Sequence, residues 1–164
     1  MKAVVIDTNV LVVANKESKQ AGPDHVIACV NALLKARLQQ IIAIDSKNRI
    51  LNEYFYHANR SGQPGMGDAF AKWLFENQGH PERCELVDIN PKTHDPEDFV
   101  EFPDDPDLVA FDRSDRKFVA VALASKNNPK IFNATDSDWW IFCYPLKKHG
   151  VNIKFLCPDL MKAR

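Results

Sequence analysis

The chain alternates between short apolar runs and longer segments with helical periodicity, which predicts an α/β protein. The first run, KAVVIDTNVLVV, is rich in β-branched residues and is interrupted by the polar step DTN at residues 7–9. An apolar run bounded in this way predicts a buried parallel strand that ends at Ile6 or Asp7. The polar stretch ANKESKQAGP that follows predicts a loop.

Four segments carry apolar residues at helical spacing. Asp24 is the expected N-cap of the first helix, HVIACVNALLKARLQQ. The segment DSKNRILNEYFYHAN predicts a helix that is capped by Asp45 or Ser46 and stops near Gly62, and MGDAFAKWLFENQG and DRSDRKFVAVALASK predict two more. The expected buried face of the first helix consists of Ile27, Val30, Leu33, Leu34 and Leu38.

Further short apolar runs predict the remaining strands. They are IIAI at residues 41–44, CELVDI, KIFNAT and VNIKFLC, and DSDWWIFCYPLKKHG predicts a turn plus a helix. The segment at about 90–111 is acidic and rich in proline, which predicts a loop. Strands that alternate with helices predict a parallel sheet covered on both faces.

Composition places the chain among ordinary globular proteins. Its 164 residues predict a single domain, 1–164, and 45% of them are hydrophobic while 26% are charged. The formal net charge of −1 supplies no global attraction to a polyanion, so binding to nucleic acid requires local basic patches or a bound metal. No apolar run reaches the roughly 18 residues of a membrane span, and the amino terminus fits no secretory signal. We therefore expect no membrane partner, a cytoplasmic location and four reduced, buried cysteines.

Several carboxylates stand where strands end or where helices begin. Asp7 ends the first strand, and Asp136 follows the KIFNAT strand, with Asp138 two residues later. Glu53 lies within the ILNEYFY helix, and Asp115 lies in the first turn of the DRSDRKFVAVALA helix. Because the carboxyl ends of parallel strands meet at one edge of a sheet, we expect these side chains to converge on one cleft.

Such a cluster of acids favours a bound cation. Converging carboxylates repel one another and lose hydration, so they are tolerated mainly where a cation neutralises them. Ligand sets made of oxygen alone suit a hard cation such as Mg²⁺ or Mn²⁺. A site of this kind generates a hydroxide nucleophile and stabilises the charge on a phosphodiester during its displacement.

Each acid also has a purely structural explanation. Asp7 can cap the following helix, and the pair Asp112 and Asp115 resembles a capping box. Either aspartate of the DSD step can cap the helix after KIFNAT. Glu53 lies in the middle of a helix among apolar neighbours, and an exposed position is its alternative explanation.

The ordered set of motifs resembles the PIN-domain nucleases, which include the VapC-type toxins of bacterial toxin–antitoxin pairs. VVIDTNVL resembles the opening strand of that family, and RILNEYFY resembles its helix with the second acid. DRKFVAVALA resembles the helix with the third acid, and IFNATDSDWW resembles the fourth-strand motif. One departure is Ala134, which stands where the family often has Thr, while Thr135 lies next to it.

The resemblance implies a three-layer α/β/α sandwich with a central, mainly parallel sheet and the activity of a Mg²⁺- or Mn²⁺-dependent endoribonuclease. It implies RNA as the substrate and, if the chain is a toxin, an antitoxin protein as partner and a homodimer. Asn9 would support the substrate site by hydrogen bonding. The metal-binding, catalytic acids would be Asp7, Glu53, Asp115 and Asp136, with Asp138 as an auxiliary metal ligand.

Basic and aromatic residues near the expected cleft are candidates for substrate contact. Arg113, Arg116 and Lys117 flank the third acid; phosphate contact is one interpretation of them and ordinary solvated charge is the other. Trp139 and Trp140 can stack on bases, although we expect at least one of them in the core.

Two other functions compete with the nuclease hypothesis. A haloacid-dehalogenase-like phosphatase also opens with a strand that ends in Asp, but its chemistry needs a second Asp where this chain has Asn9. The non-enzymatic alternative is a catalytically weak PIN-fold module that binds RNA or protein, which the loss of an acid would favour. A dinucleotide-binding fold is excluded because no Gly-rich phosphate loop follows the first strand.

Overall fold

A five-stranded, all-parallel sheet with flanking helices forms the protein, and this confirms the predicted α/β/α sandwich. The computed structural model describes residues 1–162. In chain order the elements are β1 (Ala3–Ile6), α1 (Thr8–Ala14), α2 (Pro23–Gln39), β2 (Ile41–Asp45), α3 (Arg49–His57), α4 (Met66–Asn77), β3 (Cys84–Val87), β4 (Pro91–Lys92), β5 (Asp95–Phe99), α5 (Arg116–Ala124), β6 (Lys130–Asn133), α6 (Ser137–Ile141), α7 (Cys143–Lys148), β7 (Ile153–Phe155) and α8 (Pro158–Lys162). Short 3₁₀ turns at Pro106–Leu108 and Arg113–Asp115 precede α5.

The sheet has the strand order β3-β2-β1-β6-β7. All four residues of the central strand β1 are buried, which explains why its sequence is a continuous apolar run rather than an alternating one. From β1 the chain builds the sheet outward to β2 and β3, and it then returns to add β6 and β7 on the other side. The boundary between β1 and β6 is therefore the topological switch point, where open α/β sheets form their ligand-binding crevice.

The apolar opening run contains a strand and then a helix. The backbone turns at Asp7, and the residues after it form α1, whose Val10, Leu11 and Val13 are buried. The Asp7 carboxylate accepts a hydrogen bond from the Asn9 amide, so Asp7 is also the N-cap of α1. Asp7 therefore both follows the end of β1 and caps α1.

The predicted apolar face of α2 is wrong in part. The helix begins at Pro23 with Gly22 as its N-cap rather than Asp24. Ile27, Leu34 and Leu38, expected in the core, are 57%, 37% and 74% exposed. The reason is close packing of α2 against α1 and α4, which brings a face of smaller side chains into contact with them. The fully buried residues of α2 are Cys29, Leu33 and Ala36.

The acidic segment at 90–111 contains regular secondary structure, although the sequence predicted a loop. It contains the antiparallel pair β4 and β5 and buries Phe99, Phe102 and Phe111 in the core. Its acidic residues find cations, as in the ion pair between Asp98 and Lys92 at 3.0 Å. The prolines and acidic residues of this segment indicated a loop, and they gave no sign that its three buried phenylalanines anchor the segment to the core.

Two further observations concern membrane association and cysteine chemistry. Among residues 1–162, no helix combines the length and the apolar character that crossing a bilayer requires. Cys29, Cys84 and Cys157 are buried free thiols, as predicted, whereas Cys143 is partly exposed.

Candidate metal centre at the carboxyl edge of the sheet

Three aspartates meet at the switch point between β1 and β6. Asp7 follows β1, Asp136 follows β6, and Asp115 lies at the junction between a 3₁₀ turn and α5. Each offers a carboxylate oxygen, and these oxygens all lie within 4.8 Å of one another. The structure therefore brings together three of the acids that the sequence singled out, from positions 108 and 21 residues apart (7 to 115 and 115 to 136).

Local hydrogen bonds fix two of these carboxylates. Trp139 donates its indole N–H to Asp7 Oδ2 at 2.5 Å, and the Asn9 amide lies 3.3 Å from Asp7 Oδ1. Asp136 Oδ1 accepts from the amide of Asp138 at 2.9 Å, because Asp136 is the N-cap of α6. Both carboxylates are thus oriented by the helices that begin beside them, and each keeps lone pairs directed into the cluster.

Asp115 differs from the other buried aspartates in its hydrogen bonding. Its Oδ2 is buried and has no hydrogen-bond partner among residues 1–162. By contrast, Asp45 accepts from the amides of residues 47, 49 and 50, and Asp68 accepts from Asn15, Asn59 and the amide of residue 65. A buried carboxylate oxygen without a donor is costly, and a cation is the partner that an oxygen-only cluster accommodates best.

The electrostatics of the cluster agree with that geometry. Burial is the main reason why the pKa of Asp7 is raised to about 7, against its hydrogen bonds to Trp139 and Asn9. Burial and the neighbouring Asp7 charge raise the pKa of Asp115 to about 10, and Asp136 adds to the shift. Three ionised carboxylates at this spacing need a positive charge between them. The donor set therefore fits a hard divalent cation such as Mg²⁺ or Mn²⁺.

Glu53 lines the same pocket but lies outside the cluster of three aspartates. Its Oε1 accepts from Lys117 Nζ at 2.7 Å, and its Oε2 accepts from the hydroxyl of Thr8. Both carboxylate oxygens therefore already have partners within the protein. A direct contact between Glu53 and a metal would require one of these two bonds to give way.

Asp138 also lies outside the cluster, although the sequence placed it among the metal ligands. Its Oδ2 accepts from the amide of Asp112 at 3.2 Å. This bond ties the start of α6 to the 3₁₀ turn Arg113–Asp115. Asp138 thus acts on Asp115 through the backbone, by positioning the turn that carries it.

Asn9 holds the two sides of the switch point together. Its Nδ2 donates to Asn133 Oδ1 at 2.8 Å, and its Oδ1 accepts from the amide of Ala134 at 2.9 Å. Asn133 in turn donates to the Asp136 carbonyl at 3.1 Å. Asn9 therefore links α1 to the end of β6 by hydrogen bonds, and its role at the substrate site stays a prediction.

The acids open into a cavity of about 390 Å³. Besides the predicted residues, Thr8, Ser114 and Thr135 line it, and each lies next to one of the three clustered aspartates in the sequence. That adjacency was a usable signal, because polar residues beside a strand-end acid reach the same cleft. Gln20 and His57 also line the cavity. In the sequence Gln20 looks like an ordinary loop position, whereas His57 lies one turn after Glu53 on the same helix face.

Trp139 lies in the core, so the expectation that at least one tryptophan of the pair is buried is confirmed. Trp139 is 0% exposed, packs edge-on against Phe111, and uses its N–H on Asp7. Trp140 is 38% exposed and packs edge-on against Phe155. The sequence did not distinguish the two neighbours or indicate that one of them holds a carboxylate.

Arg116, proposed from the sequence as a phosphate contact, is a structural residue. It is 9% exposed, pairs with Asp98 at 3.1 Å, and donates to the carbonyls of Val109 and Phe111. Its guanidinium also lies over the Phe102 ring. The arginine therefore fastens the β4–β5 hairpin segment to α5, and its donors are not available to a substrate.

Arg113 and Lys117 line a second cavity of about 360 Å³ that adjoins the acidic one. The two cavities share the side chains Glu53 and Ser114 in their walls. Arg49 also lines the second cavity, although the sequence gave it no role. A group of cations thus lies directly beside the acids.

Comparison with protein-family models, with curated proteins and with solved structures finds no match to this chain. The likeness to PIN-domain nucleases stays a prediction from the four motifs. The chemistry of the acidic site carries the functional proposal.

Proposed function

We propose that this protein is a metal-dependent endoribonuclease of the PIN type that hydrolyses RNA phosphodiester bonds. The observation that carries the proposal is the cluster of Asp7, Asp115 and Asp136 with its buried, unpartnered Asp115 oxygen. The choice of RNA as substrate rests on the resemblance of the motifs to that family. An antitoxin partner and a homodimer belong to the same proposal and rest on the same resemblance.

Asp7, Asp115 and Asp136 would hold the divalent ion, since their oxygens are the hard ligands that Mg²⁺ and Mn²⁺ prefer. When bound, such an ion supplies Lewis-acid activation of water and neutralises charge on a phosphodiester. Trp139 and Asn9 keep Asp7 in place for this role, and the N-cap geometry of α6 does the same for Asp136. The protein thus provides a site whose side chains are oriented before any ion arrives.

Substrate phosphates would be bound in the cavity beside the acids. Lys117 uses two of its three N–H donors on Glu53 and the Ser114 carbonyl, so one remains. Arg113 hydrogen-bonds to Asp95 through a single nitrogen, and its side chain is 54% exposed. These spare donors suit the oxygens of a phosphate next to the scissile one.

Cleavage of a fluorescent single-stranded RNA tests the proposal. We expect the wild type to cleave with Mn²⁺ and to lose activity in EDTA, and we expect Asp7→Asn and Asp136→Asn to be inactive. Asp24→Asn is the matched control, because Asp24 is exposed on α2. Equal activity in all four proteins would point to a contaminating nuclease and remove the proposal. RNA binding without turnover by the wild type would favour the binding-module alternative.

A further inference from the structure

Glu53 lies at the boundary between the acidic cavity and its neighbour of about 360 Å³, and its side chain lines both. We call the neighbour the cationic cavity, because Arg49, Arg113 and Lys117 line it. Glu53 belongs to α3 and Lys117 to α5, and an ion pair of 2.7 Å between Oε1 and Nζ joins the two helices at this boundary. The pair is therefore a direct link between the two cavities.

Four acids line the acidic cavity, and they differ in their access to positive charge. They are Asp7, Glu53, Asp115 and Asp136. Within residues 1–162, the pair of Glu53 with Lys117 is the only ion pair that any of the four makes. The charge of Lys117 is thus committed to the one acid of this cavity that lies outside the aspartate cluster.

Hydrogen bonds on both carboxylate oxygens hold Glu53 apart from that cluster. Lys117 donates to Oε1, and the Thr8 hydroxyl donates to Oε2. Lys117 is itself held by a second bond, to the carbonyl of Ser114. Because Thr8 directly follows Asp7 in the sequence, Glu53 is fixed beside the cluster without joining it.

A phosphate in the cationic cavity competes with Glu53 for Lys117. One of the three N–H donors of Lys117 has no partner within residues 1–162, so a phosphate oxygen can bind before any bond breaks. The side chains of Lys117 and Glu53 are 13% and 26% exposed, and partly exposed ion pairs contribute little to stability, so a change of anionic partner costs little. Once Lys117 turns to the phosphate, Glu53 Oε1 lacks a donor and is free to bind a divalent cation.

We propose that Lys117 is a positioning residue, which keeps Glu53 off the cation site until a substrate phosphate enters the cationic cavity and then releases it to join the three aspartates. The inference rests on the proposed function, because the divalent cation and the RNA phosphate are taken from it. Phosphate binding and cation binding then strengthen each other by the same factor. The full set of four acids is therefore assembled only when the substrate is bound.

Calorimetric titration with Mn²⁺ in the absence of RNA tests the position of Glu53. We expect Glu53→Gln to keep the Mn²⁺ affinity within about twofold of the wild type, because a carboxylate bound to Lys117 is not a ligand. Lys117→Met should tighten Mn²⁺ binding about tenfold by freeing Glu53, and adding Glu53→Gln to it should cancel the gain. Lys117→Arg keeps the charge and the donors and should match the wild type. Arg113→Gln is the matched control, because it removes a cation of the same cavity that makes no bond to Glu53.

The same titration with saturating trithymidylate tests the release by phosphate. We expect this trinucleotide to tighten Mn²⁺ binding about fivefold in the wild type and less than about twofold in Lys117→Met. A large loss of Mn²⁺ affinity in Glu53→Gln alone, or equal affinities of Lys117→Met and Arg113→Gln, would overturn the inference. Equal tightening by the trinucleotide in the wild type and Lys117→Met would overturn its phosphate part. If the wild type still cleaves RNA in these cases, the proposed function stands, whereas a wild type that binds no Mn²⁺ would remove both.

Discussion

The two ends of strand β1 carry opposite charges and are built in opposite ways. At the carboxyl end, Asp7 and Asp115 are 4% and 7% exposed, and they face each other and Asp136. At the amino end, Lys2 and Lys130 are exposed and line an open cavity. Exposed charges of one sign cost little to gather because water screens them, whereas buried carboxylates remain expensive until a cation joins them. We therefore expect a bound cation to stabilise the acidic end, and we expect no such dependence at the lysine end.

Neutralising one of the three clustered aspartates should lower the catalytic activity more than any other change. We expect Asp136→Asn to lower kcat/KM for a short RNA about 1,000-fold, because one metal ligand and its charge are lost. Asp24→Asn, at an exposed position on α2, should change cleavage of the same short RNA less than twofold. A residual activity in Asp136→Asn above a tenth of the wild-type value would contradict the assignment of this aspartate.

The same contrast between buried and exposed charge applies to two neighbouring arginines. Arg116→Met should lower the free energy of unfolding by about 3 kcal/mol, because Asp98 and two carbonyls lose their buried partner. Arg113→Gln should cost no more than about 0.5 kcal/mol, since its side chain is 54% exposed. Urea unfolding measures both values. Similar losses for the two variants would show that Arg116 does not anchor the hairpin segment.

The metal-free acidic end should be destabilised by its own charges. The pKa values of Asp7 and Asp115 are raised to about 7 and about 10, above the value of 3.8 for an unperturbed Asp. The folded state therefore keeps protons that the unfolded chain releases above about pH 4, so stability in EDTA falls as pH rises from about 4 through these pKa values.

Asp115→Asn should remove part of this destabilisation. In EDTA at pH 8 we expect its Tm to exceed that of the wild type by several degrees, with a smaller difference at pH 5. Lys130→Gln, which changes an exposed charge at the lysine end, should leave the Tm within about one degree at both pH values. Thermal unfolding followed by circular dichroism measures these shifts. A lower Tm for Asp115→Asn at pH 8 would mean that the carboxylate has a stabilising partner.

We expect the smallest loss of activity from removing the Trp139 indole N–H, which donates to Asp7. Trp139→Phe keeps an aromatic ring in the core and removes the hydrogen bond to Asp7 Oδ2, so we expect about 1 kcal/mol less stability and roughly tenfold lower activity. Trp140→Phe is the matched control, because Trp140 only packs against Phe155. If the two variants behave alike, the Trp139 N–H has no role in orienting the carboxylate.

The sequence predicted the sheet well because strand signals are local. The central strand is a continuous apolar run, and all of the five parallel strands were expected within a residue or two of their bounds. The hairpin at 91–99 was missed, since Asp95 and Glu97 favour a loop and only distant contacts of Phe99 with the core stabilise a strand there. Its order comes from packing rather than from local propensity.

The candidate site was predictable in part, since Glu53 and Asp138 were singled out with the three aspartates but lie outside their cluster. Asp7, Asp115 and Asp136 stood out because strand ends and helix starts share an edge of the sheet. The roles of Arg49 and Arg116 were not predictable, because each depends on which acids and carbonyls the hairpin segment brings near. Sequence position alone does not distinguish a buried arginine that anchors a segment from one that faces a substrate.

The most direct test of the metal centre is a calorimetric titration of the metal-free protein with Mn²⁺, for the wild type and for Asp115→Asn. The cluster of three aspartates, two of them buried, predicts saturable binding to the wild type at a defined stoichiometry, and binding at least tenfold weaker in the variant. Equal affinity in the two proteins, or no saturable binding to the wild type, would contradict the assignment of these acids as a cation site.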